Sequence, residues 1–192
     1  MMDFKKEKAE LRKTMLARRA AMAAGLRERA DRRIFDSVTS LSEYEDADTV
    51  FLYVSVRDEP DTIAIIEDAR KRGKRVCIPR CASMGVMHAH EIQGMNDLQS
   101  GKYDIPEPKD GCPLLEPGEI DLIIVPCVCC STDGFRLGYG GGFYDRWLEK
   151  CNAHTAVLCF EEMLVPAVPR EPHDQKVDIL ISDTPNPVLR FS

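Results

Sequence analysis

The sequence predicts an α/β protein: one domain, residues 1–192, built on an open, mainly parallel sheet flanked by helices. Three observations carry this. Short apolar runs rich in β-branched residues recur between turn residues, at 49–54, 122–125, 155–159 and 177–181. A strand–helix–strand unit spans 49–78, which implies parallel neighbours joined by a crossover. The chain's 192 residues, 44% of them hydrophobic, suffice for one substantial core.

Residues 3–24 read as a helix, with Phe4, Leu11, Met15 and Met22 near helical spacing; Gly25 ends it and 26–41 forms a second. This N-terminal helical segment, 1–41, is expected to pack on the α/β body. The apolar run 49–54 is a strand. Asp61-Thr62 opens a helix that continues to Arg72, with Ile63, Ile66 and Ala69 inward, and Gly73 stops it. A strand at 75–78 is expected to halt at Pro79, and another covers 86–92. Residues 94–118, rich in Pro, Gly and Asp, read as a long irregular connection, the kind of loop that is commonly functional. The run 122–125 is a buried central strand, and 143–150 is a short helix with Tyr144, Trp147 and Leu148 on one face.

Charge is uneven. Residues 1–33 hold 11 Lys/Arg against 5 Asp/Glu, while the rest holds 15 against 27. A basic helix with no aromatic platform is a solvated face pairing with the acidic body, so no nucleic-acid partner is expected. No apolar run is long enough for a membrane and the N-terminus lacks a signal peptide's apolar centre, so a cytoplasmic monomer is expected. The eight cysteines read as buried or half-buried thiols rather than a metal centre. The four histidines form no metal pattern; His88 and His90 read as surface residues, and His173 receives no catalytic role.

The chemistry concentrates at 136–146, Arg-Leu-Gly-Tyr-Gly-Gly-Gly-Phe-Tyr-Asp-Arg. Glycines let several backbone N–H groups converge on one point, a concavity suited to phosphate. The free N–H groups at the start of the following helix would add to it, with Asp145 in the first turn placed to hold Mg²⁺ beside a phosphate. The Gly-Lys-Ser/Thr ending of a P-loop is missing. A dinucleotide fingerprint fits only partly, since Phe143 stands where the last glycine belongs; Glu161 and Glu162 follow at about the right distance for a ribose. That leaves a nicotinamide-dependent oxidoreductase, or a non-enzymatic nucleotide-binding module, as alternatives.

These residues resemble the signature of the 5-formyltetrahydrofolate cyclo-ligase family. Other segments match in order: Lys8-x-x-x-Arg12, residues 55–62 (Ser-Val-Arg-Asp-Glu-Pro-Asp-Thr), 77–80 (Cys-Ile-Pro-Arg), 103–108 (Tyr-Asp-Ile-Pro-Glu-Pro), 121–126, and His173-Asp174 with Val177-Asp178. The chain departs from the family pattern at Phe143, usually tyrosine, and at 129–131, often Ala-Phe-Asp. The resemblance implies a fold like that of glucosamine-6-phosphate deaminase and ribose-5-phosphate isomerase. It also implies conversion of 5-formyltetrahydrofolate to 5,10-methenyltetrahydrofolate with ATP and Mg²⁺, with small molecules as the expected partners. Carried over residue by residue, it makes Lys8, Arg12, Arg136, Leu137, Gly138, Tyr139, Gly140, Gly141, Gly142, Phe143 and Tyr144 the ATP contacts. Val54, Glu59, Tyr103, Tyr139, Gly140, Gly141, Gly142 and Phe143 become the folate contacts, Glu59 pairing with the pterin's N–H groups. Arg136 and Tyr144 are the expected catalytic residues, and Asp145 and Asp178 the expected Mg²⁺ carboxylates.

Overall fold

A computed structural model describes residues 4–101 and 104–191. Tyr103 lies outside the described residues. In chain order the elements are α1 (Phe4–Ala20), α2 (Ala24–Thr39), α3 (Ser42–Asp46), β1 (Thr49–Phe51), α4 (Ile63–Lys71), β2 (Arg75–Ser83), β3 (Val86–Ile92), β4 (Leu98–Ser100) and β5 (Pro106–Pro108). They continue with β6 (Leu114–Leu115), β7 (Leu122–Val125), β8 (Cys129–Ser131), β9 (Arg136–Leu137), α5 (Phe143–Leu148), β10 (His154–Leu158), β11 (Leu164–Val165), β12 (Ile179–Ile181) and β13 (Val188–Arg190).

The main sheet has eight strands in the order β13-β12-β10-β7-β1-β2-β3-β6. Its five central strands, β12 to β2, run parallel. The flanking β13, β3 and β6 are antiparallel to their neighbours. Strands β1, β7 and β12 are buried at every residue, as parallel strands covered on both faces must be. Helices α2 and α4 contact each other, α4 packs on β2 and α2 on β12, while α5 lies on β3. Trp147 and Tyr144 of α5 meet the Phe51 ring at 4.7 and 6.1 Å between centroids. One apolar cluster runs through all of this, from Met15 to Ile181.

The chain leaves β1 toward β2 on one side, and β7 flanks β1 on the other. The connections after β1 and β7 therefore diverge, and the crevice between them is where open α/β sheets take ligands.

Three expectations change. Pro79 does not stop β2; the strand continues to Ser83 and forms a long ladder with β3. The Leu52 N–H donates to the Cys77 carbonyl, so odd-numbered β2 residues turn their backbone toward β1. At Pro79 β1 has already ended, and a missing N–H costs nothing there. The Cys81 N–H, pointing the same way, is met by the Glu107 carboxylate at 3.2 Å. In α4, Ile65, Ile66 and Ala69 are buried while Ile63 faces outward. Residues 94–118 are not wholly irregular, since they contain the β4–β5 pair and edge strand β6.

The cysteines behave as packed thiols. All eight are free and five are buried. Burial pushes the Cys151 thiol up to about 11 and Cys129 up to about 12. Among the described residues no group of three His, Cys, Asp or Glu side chains is placed to hold a metal ion. No helix among them is long and apolar enough to cross a membrane.

Candidate active site

The glycine run follows β9, which pairs antiparallel with β8 in a small separate sheet. It lies beside α1. Arg12 Nε donates to the Gly138 carbonyl at 2.8 Å, and its guanidinium reaches Gly140, where a Cβ would lie 3.4 Å from Nη2. Gly140 and Gly142 take φ of +97° and +61°, so side chains at these positions would strain the turn. Gly142 also caps α5, and a Cβ there would stand 2.9 Å from Arg146 Nη1. Arg146 ties the run to the tip of the β2–β3 hairpin, donating to the Gly85 carbonyl at 2.9 Å and to the Gly141 carbonyl. Helix α5 is only six residues long, shorter than expected, so its dipole adds little. An anion at this corner would meet the glycine backbone and the neighbouring cations.

That geometry also removes the dinucleotide alternative. The run follows an antiparallel hairpin strand rather than a strand of the parallel sheet. Glu162, a candidate ribose partner, pairs with Arg18 at 2.6 Å.

Lys8 and Arg12 share one face of α1, as their four-residue spacing implies. Lys8 Nζ is held by Asp174 at 2.6 Å and Glu171 at 3.0 Å. Arg136 is buried; its Nη1 donates to the Gln175 carbonyl at 2.8 Å and its Nη2 to Asp145 Oδ1 at 2.9 Å. The 171–175 turn is thus pinned from two sides, by Lys8 and by Arg136. Two nitrogens of the guanidinium are engaged inside the protein. Leu137 is buried beside it on β9.

The Lys8 contact gives a pH signature. Burial alone would raise the Asp174 carboxyl, but the Lys8 hydrogen bond and the Glu171 N–H outweigh it and hold the group below its ordinary value. The contribution is present above the ordinary carboxylate value, about 3.9, and is lost as pH falls through the lower folded value. Melting temperatures of wild type and Asp174→Asn should therefore differ at pH 6 and converge below about pH 4. A gap that persists unchanged at pH 3 would remove the ion pair as its cause.

Glu59 is 9% exposed, in the connection after β1. Its Oε2 accepts from the Val56 N–H at 2.9 Å and its Oε1 from the Tyr139 hydroxyl. Val54, the expected apolar wall, is buried at the start of the same connection. Phe143 is half-buried, its ring against Gly141. Tyr144 lies behind, its hydroxyl buried and without a hydrogen-bond partner among the described residues. Burial, reinforced by the Glu59 charge, pushes that phenol well up, so at neutral pH the hydroxyl stays protonated.

Arg19 emerges as a further member. It is 2% exposed and sits at the β1–β7 crevice. Its Nη1 donates to the Cys127 carbonyl at 3.0 Å, and its Nη2 to the Tyr139 hydroxyl at 2.6 Å and to Asp58 at 3.4 Å. One cation thus joins the connections after β1 and β7 to the glycine run. A sequence signal exists: Lys8, Arg12, Met15 and Arg19 fall on one stripe of a helix.

Asp178 needs a correction. Its Oδ2 accepts from the Thr155 N–H at 2.8 Å and the Thr155 hydroxyl at 2.7 Å, at the amino ends of β10 and β12. Ligands to an α/β sheet belong at the carboxyl ends. Asp178 is a strand-end cap, not a companion of Asp145. Asp178→Ala should cost about 1–3 kcal/mol by orphaning the two Thr155 donors, with the Mg²⁺ dependence of activity unmoved. Urea melts and a metal titration check this; a shifted Mg²⁺ requirement at unchanged stability would return the aspartate to the metal.

Comparison with known proteins places the fold. Residues 4–183 match the 5-formyltetrahydrofolate cyclo-ligase family. The chain belongs to that family. A 5-formyltetrahydrofolate cyclo-ligase of Mus musculus is 31% identical, covering 93% of this chain and 95% of its own length. One from Mycolicibacterium smegmatis is 29% identical over 88% and 90%. The solved 5,10-methenyltetrahydrofolate synthetase of Aquifex aeolicus superposes with a TM-score of 0.85 at 27% identity, covering 95% of this chain and 92% of that one. The cyclo-ligase family is thus matched over nearly the whole chain, both helical segment and sheet.

Proposed function

We propose that this protein converts 5-formyltetrahydrofolate to 5,10-methenyltetrahydrofolate with ATP and Mg²⁺, releasing ADP and phosphate. The observation that carries the reading is one crevice that joins a phosphate-type glycine run, flanked by Arg12 and Lys8, to the nearly buried carboxylate of Glu59. Whole-length membership of the family supports it.

The chemical problem is an N-formyl oxygen, a poor leaving group. It takes the γ-phosphoryl group of ATP, ADP departs, and an iminium phosphate results. N10 then attacks the activated carbon, the C–O bond breaks, and phosphate leaves with the former formyl oxygen as N10 gives up its proton. Such transfer asks a protein for positioning and charge neutralisation more than for covalent help.

The residues divide accordingly. Glu59, with Val54 at the start of the same connection, orients the pterin by accepting from the pterin's N–H groups, and Tyr103 joins the proposed folate contacts on the family pattern alone. The run from Leu137 to Phe143 wraps the polyphosphate, with Lys8, Arg12 and Arg136 as its cations. Tyr144, protonated and buried behind Phe143, is the further catalytic residue of this reading. Mg²⁺ would be held by Asp145 and by the phosphates themselves; a metal that keeps most of its waters needs few protein carboxylates. When bound it neutralises phosphate charge. The reading includes the finer likeness to the glucosamine-6-phosphate deaminase type of fold. It also takes the protein as a cytoplasmic monomer of one domain, without nucleic-acid or membrane partners.

The test is an absorbance assay for the methenyl chromophore with 5-formyltetrahydrofolate, ATP and Mg²⁺. Product that requires all three is expected. Folded protein that forms none would end the proposal.

A further inference from the structure

Tyr139 has an exposed ring and an anchored tip. The residue is 47% exposed, yet its hydroxyl turns inward between two charges, donating to Glu59 Oε1 and accepting from Arg19 Nη2. Burial and the Glu59 charge push the phenol well up against the lowering effect of Arg19, so the proton stays on oxygen. Glu59 Oε2 accepts from the Val56 N–H and Oε1 from Tyr139, so each oxygen keeps one lone pair free. The Oε1 site that faces the glycine run is held by a residue of that run itself.

We infer that Tyr139 is a positioning residue that stands in for the pterin at Glu59, so that folate binding and release of the glycine run are one event. The inference rests on Glu59 being the folate carboxylate, as proposed above. Three observations support the exchange. Tyr139 lies between Gly138 and Gly140, the latter at φ +97°, so the backbone on both sides can turn. The ring is half in solvent, so moving it uncovers little apolar surface. Arg19 keeps the Cys127 carbonyl and Asp58 when the hydroxyl departs, so the cation stays beside Glu59. When a planar donor replaces the phenol, Arg19 gives up its contacts with the Tyr139 hydroxyl and ring. The consequence is heterotropic: folate, by freeing Tyr139, alters how the run receives ATP, and by linkage a nucleotide alters folate affinity by the same factor.

The experiment measures dissociation constants for 5-formyltetrahydrofolate, alone and with a non-hydrolysable ATP analogue, in wild type and Tyr139→Phe. The variant keeps the ring and deletes the competing donor. It should bind folate alone roughly tenfold more tightly, the size of a hydrogen bond to a charged group, and the folate–nucleotide coupling factor should fall toward one. Amide hydrogen exchange across 138–142 gives a second readout: folate alone should speed it in wild type, and it should already be fast in the variant. Unchanged or weaker folate binding by Tyr139→Phe overturns the inference, as does coupling equal to wild type. Wild-type protein that fails to bind the folate at all overturns the functional reading first, and this inference with it.

Discussion

Arg136→Ala should lose both stability and turnover, a double loss that the burial of this side chain dictates. The guanidinium is 3% exposed and joins three segments: β9, which carries it, Asp145 of α5, and the Gln175 carbonyl. Breaking a buried ion pair by removing one partner typically costs about 3–5 kcal/mol, because the other charge is stranded. Asp145 is 25% exposed and water can reach it, so roughly 2–4 kcal/mol is the expected loss here. Turnover should fall by about two to three orders of magnitude, as when one preorganised donor to a developing anion is removed. Arg136→Lys separates the two effects: it keeps the charge but cannot make both contacts. Urea melts and steady-state kinetics on both variants decide the matter. Folded Arg136→Ala with wild-type kcat/KM would reduce Arg136 to a strut.

Glu59→Gln is the second large effect, and it should appear in folate binding. Glutamine keeps an oxygen for the Val56 N–H, so the 56–59 turn survives. It removes the negative charge that pterin N–H groups and Arg19 both answer. A hydrogen bond to a charged group contributes about 1.5–3 kcal/mol, so the folate KM should rise roughly ten- to a hundredfold while kcat moves little. An unchanged folate KM would take Glu59 out of the binding site. The contrast with Tyr139→Phe is sharp, since that variant should bind the same ligand more tightly.

Much of this was legible in the chain because it follows from local rules. The apolar runs at β1, β7, β10 and β12 could only be buried strands, and glycines on both sides of Tyr139 could only make a turn with unusual backbone. The four-residue spacing of Lys8 and Arg12 put both on one helix face, and both do face the site side of the fold. What escaped depended on partners far away in sequence. Pro79 continues a strand because β1 has ended beside it, which no local rule can say. The β8–β9 hairpin is two short pieces in a Cys- and Gly-rich stretch with no alternation to betray it. Asp178 resembled a metal ligand by its motif, but its register against Thr155 makes it a cap. Arg19 lay among so many basic residues that its place on the Lys8–Arg12 stripe gains weight only from its burial.

The contact between α1 and the 171–175 turn has a consequence for how the molecule comes into being. Lys8 and Asp174 lie 166 positions apart, and Arg12 meets Gly138 across 126. Closures of that span are the slow ones in folding, since their entropy must be lost before any contact rewards it. A chain emerging from the ribosome would build β1, α4 and the long β2–β3 ladder early. It would hold α1 without its partners at Cys127, Gly138 and the 171–175 turn until those segments had been synthesised. The basic first helix is therefore a late lock, and activity in a refolding experiment should trail the recovery of sheet structure.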